Sequence, residues 1–263
     1  MRKSVSYRPL IVLLALLLAA LASPAFAQRF ATGQEVMDAI ADQPAPETTV
    51  ATLTMTITAA SGHSLTREMQ IWTAGGQGDA DANQLIKFTA PADVRGSGFM
   101  SVAAAGGGTE SFIYLPALDR VRRVAGGQTQ DAFFGSDFSY EDITGLTGDI
   151  EGDFEYTLLE VQDGPTYVIE AVATAGADSS YERLVYTIPE ELLLPTRIEF
   201  FRDGELFKVM TISGTVEQDG FTLPTEIRME TIAAGSVTTI AQANFELDTE
   251  IPDDVFTERF LRR

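Results

Sequence analysis

From residue 48 onward the hydrophobic pattern repeats every second residue, and this limits the fold more than any other feature of the chain. Across 50–59, Thr52, Thr54, Thr56 and Thr58 alternate with Leu53, Met55 and Ile57. Strand side chains point alternately to opposite faces, so such a segment has one wet face and one apolar face. Ser61-Gly62 marks a turn. Residues 65–73 then return with Leu65, Met69 and Ile71 opposed to Thr66, Glu68 and Gln70. The same pattern predicts strands over 84–89, 98–104, 110–115, 120–124, 154–161, 167–173, 181–188, 194–201, 205–213, 221–231 and 236–247. Turn signals such as Asp203-Gly204, Asp219-Gly220 and Ala234-Gly235 separate them. Strands joined by tight turns make an antiparallel meander. No strand alternates with a long helix, which argues against a parallel doubly wound sheet.

Helical material is scarce. Thr32 and Glu35 have capping-box spacing before Val36, Met37 and Ile40, predicting a helix over 32–41. Residues 137–146, with Asp137 as cap, and 253–261 are the other candidates. Every strand offers an apolar face that needs cover, and three short helices cannot supply it for a flat sheet. The fold class expected is mainly β: a strongly curved antiparallel sheet forming an incomplete barrel, with a few short helices covering an apolar cavity.

Residues 1–27 read as a cleaved signal peptide. Arg2, Lys3 and Arg8 precede an apolar run, and Ala25 and Ala27 give an A-x-A site before Gln28. A spanning helix needs ~20 apolar residues, and this run closes at Pro24. The expected organisation is a leader over 1–27 and one β-domain over 28–263, exported to the periplasm or secreted. The net charge is −20, and losing the leader's three cations makes it about −23. So acidic a chain is a poor partner for nucleic acid or anionic membrane surfaces. Cysteine is absent, so the core must stabilise the fold without disulfides.

Catalytic motifs are missing. The one histidine, His63, falls in a predicted turn. There is no G-x-S-x-G, H-E-x-x-H or P-loop pattern, and no Cys/His metal set. Asp79, Asp81 and Asn83 open like a calcium loop, but Gln84 and Ala90 stand where Gly and Glu are needed. Asp149, Glu151 and Asp153 alternate in a second acidic loop that reads as solvated. No enzyme, cofactor or metal is expected.

Most of the functional information lies between Pro91 and Ile143. Aromatics are dense there, and 131–143 (Asp131-Ala132-Phe133-Phe134-Gly135-Ser136-Asp137-Phe138-Ser139-Tyr140-Glu141-Asp142-Ile143) reads as a loop folding over an apolar surface. The candidate cavity lining is Met55, Ile71, Trp72, Phe88, Phe99, Phe112, Tyr114, Phe134 and Phe138; strand parity forbids all of them facing inward, since Trp72 is out of phase with Ile71. Arg120 and Arg122 share a strand face, and Arg123 points the other way. Pairing with Asp137, Glu141 or Asp142 is one role for these arginines; meeting an anionic head group at the cavity mouth is the other.

The stretch 91–99, the block 114–123 (Tyr-Leu-Pro-Ala-Leu-Asp-Arg-Val-Arg-Arg), the block 134–142 and the segments 223–227 and 251–257 resemble the LolA-like outer-membrane lipoprotein-sorting proteins in the broad sense. The resemblance implies a half-barrel whose hollow takes acyl chains in transit. It implies lipid or lipoprotein cargo, with an inner-membrane transporter and an outer-membrane acceptor as partners. Two other classes stay open: a secreted hydrolase using two carboxylates, and a ligand-free structural β-domain.

Overall fold

The computed structural model describes residues 29–75, 82–104, 108–146, 154–162, 164–177, 179–252 and 254–263. The expected leader falls outside the described residues, as do Asp79, Asp81, Asp149, Glu151 and Asp153. Contacts divide the chain into two compact units, 1–31 and 32–263. The sheet and its helices belong to the second unit.

Thirteen strands form one antiparallel sheet among the described residues. They are β1 (Thr48–Thr58), β2 (Ser64–Ala74), β3 (Asn83–Ala90), β4 (Gly98–Ala103), β5 (Thr109–Leu115), β6 (Arg120–Val124) and β7 (Phe154–Gln162). The rest are β8 (Thr166–Ala173), β9 (Arg183–Pro189), β10 (Arg197–Arg202), β11 (Glu205–Gln218), β12 (Phe221–Thr231) and β13 (Ser236–Leu247). Among the described residues three α-helices accompany them: α1 (Gly33–Ala41), α2 (Tyr140–Gly145) and α3 (Glu258–Leu261). Each predicted strand is present, and the expected two-residue turns close two hairpins. Asp203 and Gly204 have φ 54° and 79°, and Asp219 and Gly220 have φ 54° and 89°, the left-handed pairs that match strand twist.

The spatial order is β6-β5-β4-β3-β2-β1-β13-β12-β11-β10-β9-β8-β7. The chain meanders outward from β1 to one edge, β6. It then starts again at the other edge, β7, and meanders back until β13 pairs with β1. Pairing never joins β6 to β7, so the barrel is incomplete. The connection between β6 and β7 therefore has to run from one edge of the sheet to the other. Two devices protect the edges. β6 carries Arg120, Arg122 and Arg123, charges that discourage strand addition. α1 packs on β7 and β8, so closely that a Cβ on Gly33 would sit 2.9 Å from the Thr157 carbonyl carbon.

Parity sorts the side chains into two faces. Ile71, Ile86, Phe99 and Ile113 are successive cross-strand neighbours on the inner face, with Met55, Ile240 and Ile227 continuing it beyond β1. Trp72, Leu85, Met100 and Phe112 make the corresponding row on the outer face. The outer face is covered by the C-terminal segment: Leu85, Met100, Tyr114, Val255 and Leu261 form a buried cluster, with Trp72 and Phe260 packed on it edge to face at 5.9 Å. The inner face is crossed by the β6–β7 connection.

Candidate functional site

The connection over 125–146 is short of regular structure but rich in local hydrogen bonds. A 3-10 turn spans Phe133–Gly135, and the Phe133 amide donates to the Phe138 carbonyl at 2.7 Å, pinching the loop shut. Phe134 sits in the left-handed region at φ 48°, ψ 35°, and Gly135 follows at φ 76°. A bulky side chain held at positive φ is unfavourable by itself and needs surrounding contacts to keep it there. The expected cap at Asp137 is displaced: Ser139 caps α2, and Asp142 reciprocates by accepting from the Ser139 amide at 2.7 Å. That capping box releases Asp137 for other contacts.

The aromatic rings of this connection fill the inner face. Phe133 lies 6.0 Å from Phe88 and 5.6 Å from Phe99, Phe134 lies 4.4 Å from Phe88, and Tyr140 lies 5.5 Å from Phe99. Phe133 and Phe138 are 0% exposed. The expected apolar hollow is thus occupied by the chain's own side chains; the segment is a plug.

Three polar anchors tie the plug to the sheet. Asp137 accepts hydrogen bonds from the hydroxyls of Thr231, Ser236 and Thr238, and its amide donates back to Thr238 Oγ1 at 2.9 Å. Asp142 meets Lys208 Nζ at 2.8 Å and accepts from the Tyr181 hydroxyl at 2.7 Å. Burial, with Asp142 adding to it, pushes the Tyr181 phenol well above its ordinary range. Arg67 donates Nη1 to the Phe134 carbonyl, while its Nε is buried without a hydrogen-bond partner. Desolvation lowers the Arg67 pKa, and Asp93 opposes that shift.

These anchors show that the sheet wraps round the plug. A flat sheet would set β4 and β11, six strand spacings apart, at ~29 Å. Yet Tyr140 stacks on Phe99 of β4, and two residues later Asp142 pairs with Lys208 of β11.

Known proteins share this fold. A family model described as an uncharacterized protein matches residues 80–263. A DUF1329 family protein from Desulfovibrio piger is 28% identical with a TM-score of 0.79, over 87% of this chain and 97% of that one. A domain from Vibrio parahaemolyticus described as an outer membrane lipoprotein-sorting protein domain is 26% identical with a TM-score of 0.77, over 88% and 98%. The chain belongs to the matched family and is LolA-like in the broad sense. A LolA superfamily protein from Nitrosomonas europaea shares the fold at 19% identity and a TM-score of 0.68, over 88% and 100%. No curated protein matches the chain.

In this LolA-like half-barrel the residues expected to line a cavity divide by face. Met55, Ile71, Phe88 and Phe99 are buried on the inner face. Phe134 and Phe138 belong to the plug that packs there. Trp72, Phe112 and Tyr114 lie on the outer face, against the C-terminal segment, and the Tyr114 hydroxyl donates to Asp119 at 3.2 Å. Arg120 and Arg122 are exposed on edge strand β6, with the Arg122 charge felt at the half-buried Tyr140 phenol. The expected pairing of these arginines with Asp137, Glu141 or Asp142 gives way to other partners. Arg123 meets Glu110 at 3.0 Å, and Glu141 accepts from Ser179 and the Ser180 amide.

Sequence reasoning missed Arg67, Lys208 and the hydroxyl trio. A signal existed for the two cations: Arg67 is in phase with Met69 and Ile71, and Lys208 with Met210, so each is a charge on an apolar face. A groove of about 830 Å³ opens on the outer side, lined by Glu47, Val102, Asp248, Glu250, Ile251 and Phe256 among others. Its three carboxylates suit an acyl chain poorly. Among the described residues no helix is long and apolar enough to cross a membrane.

Proposed function

We propose that this chain is a periplasmic carrier that takes acyl chains of a lipid or lipoprotein against its inner sheet face, in the place its plug fills when no cargo is bound. The observation that carries this reading is how the inner face is covered. Its cover is a short irregular connection with a residue at positive φ and three polar anchors, rather than strands or long helices. The likeness to lipoprotein-sorting domains supports the same reading. Export by the leader over 1–27 would bring the protein to the compartment where such cargo crosses between membranes.

The apolar terms of such an exchange are similar in size. Burying a large apolar side chain gives ~1.5–3 kcal/mol, so Phe133, Phe134, Phe138 and Ile143 together hold the plug with roughly 6–12 kcal/mol. One acyl chain of about 15 methylenes recovers ~12 kcal/mol at ~0.8 kcal/mol per CH2. A single chain therefore competes with the plug, and two chains exceed it. Transfer to an acceptor needs only a partner that holds the chains better; the partners expected are an inner-membrane transporter and an outer-membrane acceptor. No bond is made or broken, so this is a carrier rather than an enzyme.

A second reading, a structural domain with a filled core, draws on the complete burial of Phe133 and Phe138. Native mass spectrometry of the protein purified from an envelope fraction separates the two. Lipid adducts that vanish on denaturation support the carrier; an adduct-free protein that takes up no lipid on incubation supports the filled core.

A further inference from the structure

Two carboxyl groups of the plug are received by wall residues that lie side by side. Lys208, Thr231 and Ser236 are cross-strand neighbours in one row over β11, β12 and β13, and Thr238 is two residues along β13 on the same face. Such neighbours are about 5 Å apart. Lys208 is 5% exposed and Thr238 0% exposed. The three hydroxyls donate to Asp137, at 2.7 Å from both Thr231 and Thr238, and the ammonium takes Asp142 at 2.8 Å. All four wall groups belong to the sheet, and both carboxyls belong to the plug. When the plug leaves, β11, β12 and β13 keep one cation and three hydroxyl donors in an otherwise apolar stretch of the inner face, with Arg67 on β2 four strands away from Lys208. A buried cation left without a counter-charge is strongly unfavourable.

Resting on the carrier reading, we infer that this row is a head-group site: Lys208 with Thr231, Ser236 and Thr238 binds the oxyanion of an anionic amphiphile, and Asp137 and Asp142 of the plug occupy it in the ligand-free state. The cargo class is an acyl chain bearing a carboxylate or phosphate. A neutral head would strand Lys208, so the site discriminates by charge. The acidic exterior does not contradict this, because charges beyond the ~8 Å Debye length are screened at physiological salt. Exterior charge slows arrival, whereas the buried row sets selection.

The test compares oleate with oleyl alcohol, which has the same chain and no charge, by displacement of a fluorescent acyl probe from the full mature protein. Oleate is expected to bind at least ~10-fold tighter. Asp142→Asn frees Lys208 of its competitor and is expected to tighten oleate more than the alcohol. Adding Lys208→Met to that variant is expected to abolish the preference for the acid. If the pair merely holds the plug, both variants shift acid and alcohol alike, and the head-group site is overturned. Equal wild-type affinities overturn it with no variant needed. Binding of neither ligand overturns the carrier reading together with this site. Vesicles of phosphatidylglycerol against phosphatidylcholine then identify the source: selective uptake from the former marks a phospholipid, and oleate selectivity without vesicle uptake marks a free acid. Either result upholds the oxyanion site.

Discussion

At the scale of single residues, the structure turns on a few polar groups in an apolar setting. Asp137 is the clearest. Its carboxyl gathers three hydroxyl donors, one of them the fully buried Thr238. Asp137→Ala leaves those donors without their acceptor, and an unsatisfied buried polar group costs about 1–3 kcal/mol. The expected outcome is a lower Tm together with faster uptake of an acyl probe, because the plug loses an anchor while the wall stays intact. A lower Tm with unchanged uptake would mean that the plug does not gate the inner face. The residue scale is also where sequence reading is weakest. Asp137 reads as a cap, and only the contacts to β12 and β13 decide that it reaches the sheet while Ser139 caps the helix. Those contacts span about a hundred residues of sequence, a distance that no local pattern encodes.

Among elements, the telling contrast is between the two covers of the sheet. The outer cover is fitted closely to its strand. A Cβ on Gly98 would lie 2.7 Å from Leu261 Cδ1 and 3.1 Å from the Ile86 carbonyl oxygen. Lys87 Nζ meanwhile binds the Leu261 carbonyl at 2.6 Å, and burial lowers the Lys87 pKa. Gly98→Ala must therefore displace α3, with overpacking costing about 1–3 kcal/mol. Trp72, the chain's one tryptophan, packs on Phe260 of α3 and reports the displacement as a fluorescence change. Acyl-probe binding is expected to survive that substitution, since it touches the outer face only; loss of binding would place the ligand on the wrong face. The elements themselves were legible because alternation and turn residues are local. β1 reads from its threonines, and the β10–β11 hairpin reads from Asp203-Gly204. Which face Trp72, Phe112 and Tyr114 occupy was not legible. Period two assigns them to one side but does not say whether that side meets the plug or the C-terminal segment.

For the whole molecule, the sheet order sets up the plug: the meanders β1 to β6 and β7 to β13 end and begin at opposite edges, and the connection that joins them is laid on the inner face. That order cannot be read from strands alone, because the β1–β13 pairing joins the two ends of the domain. Curvature was legible in outline, from the shortage of helix, whereas the filling of the hollow was not. Alkaline stability is a property of this scale too. Tyr114, Tyr140, Tyr181 and Tyr186 all have pKa values raised above 10.0, chiefly by burial. A raised folded pKa means that the native state holds the proton after the unfolded chain has released it. Their stabilisation is complete below the unfolded value and is lost as pH climbs past about 10. Lys87 and Arg67, with lowered values, act in the opposite sense. With the tyrosines dominant, Tm should fall steadily above about pH 10; a Tm that stays level or rises there would contradict their role. The most direct test of the account locks the plug. The native chain has no cysteine, so Asp137→Cys with Thr238→Cys introduces a lone pair where the two side chains already meet. Acyl-lipid uptake is measured with that pair oxidised and then reduced: no uptake is expected from the oxidised protein and restored uptake from the reduced one, and equal uptake in both states would mean that the plug does not have to move.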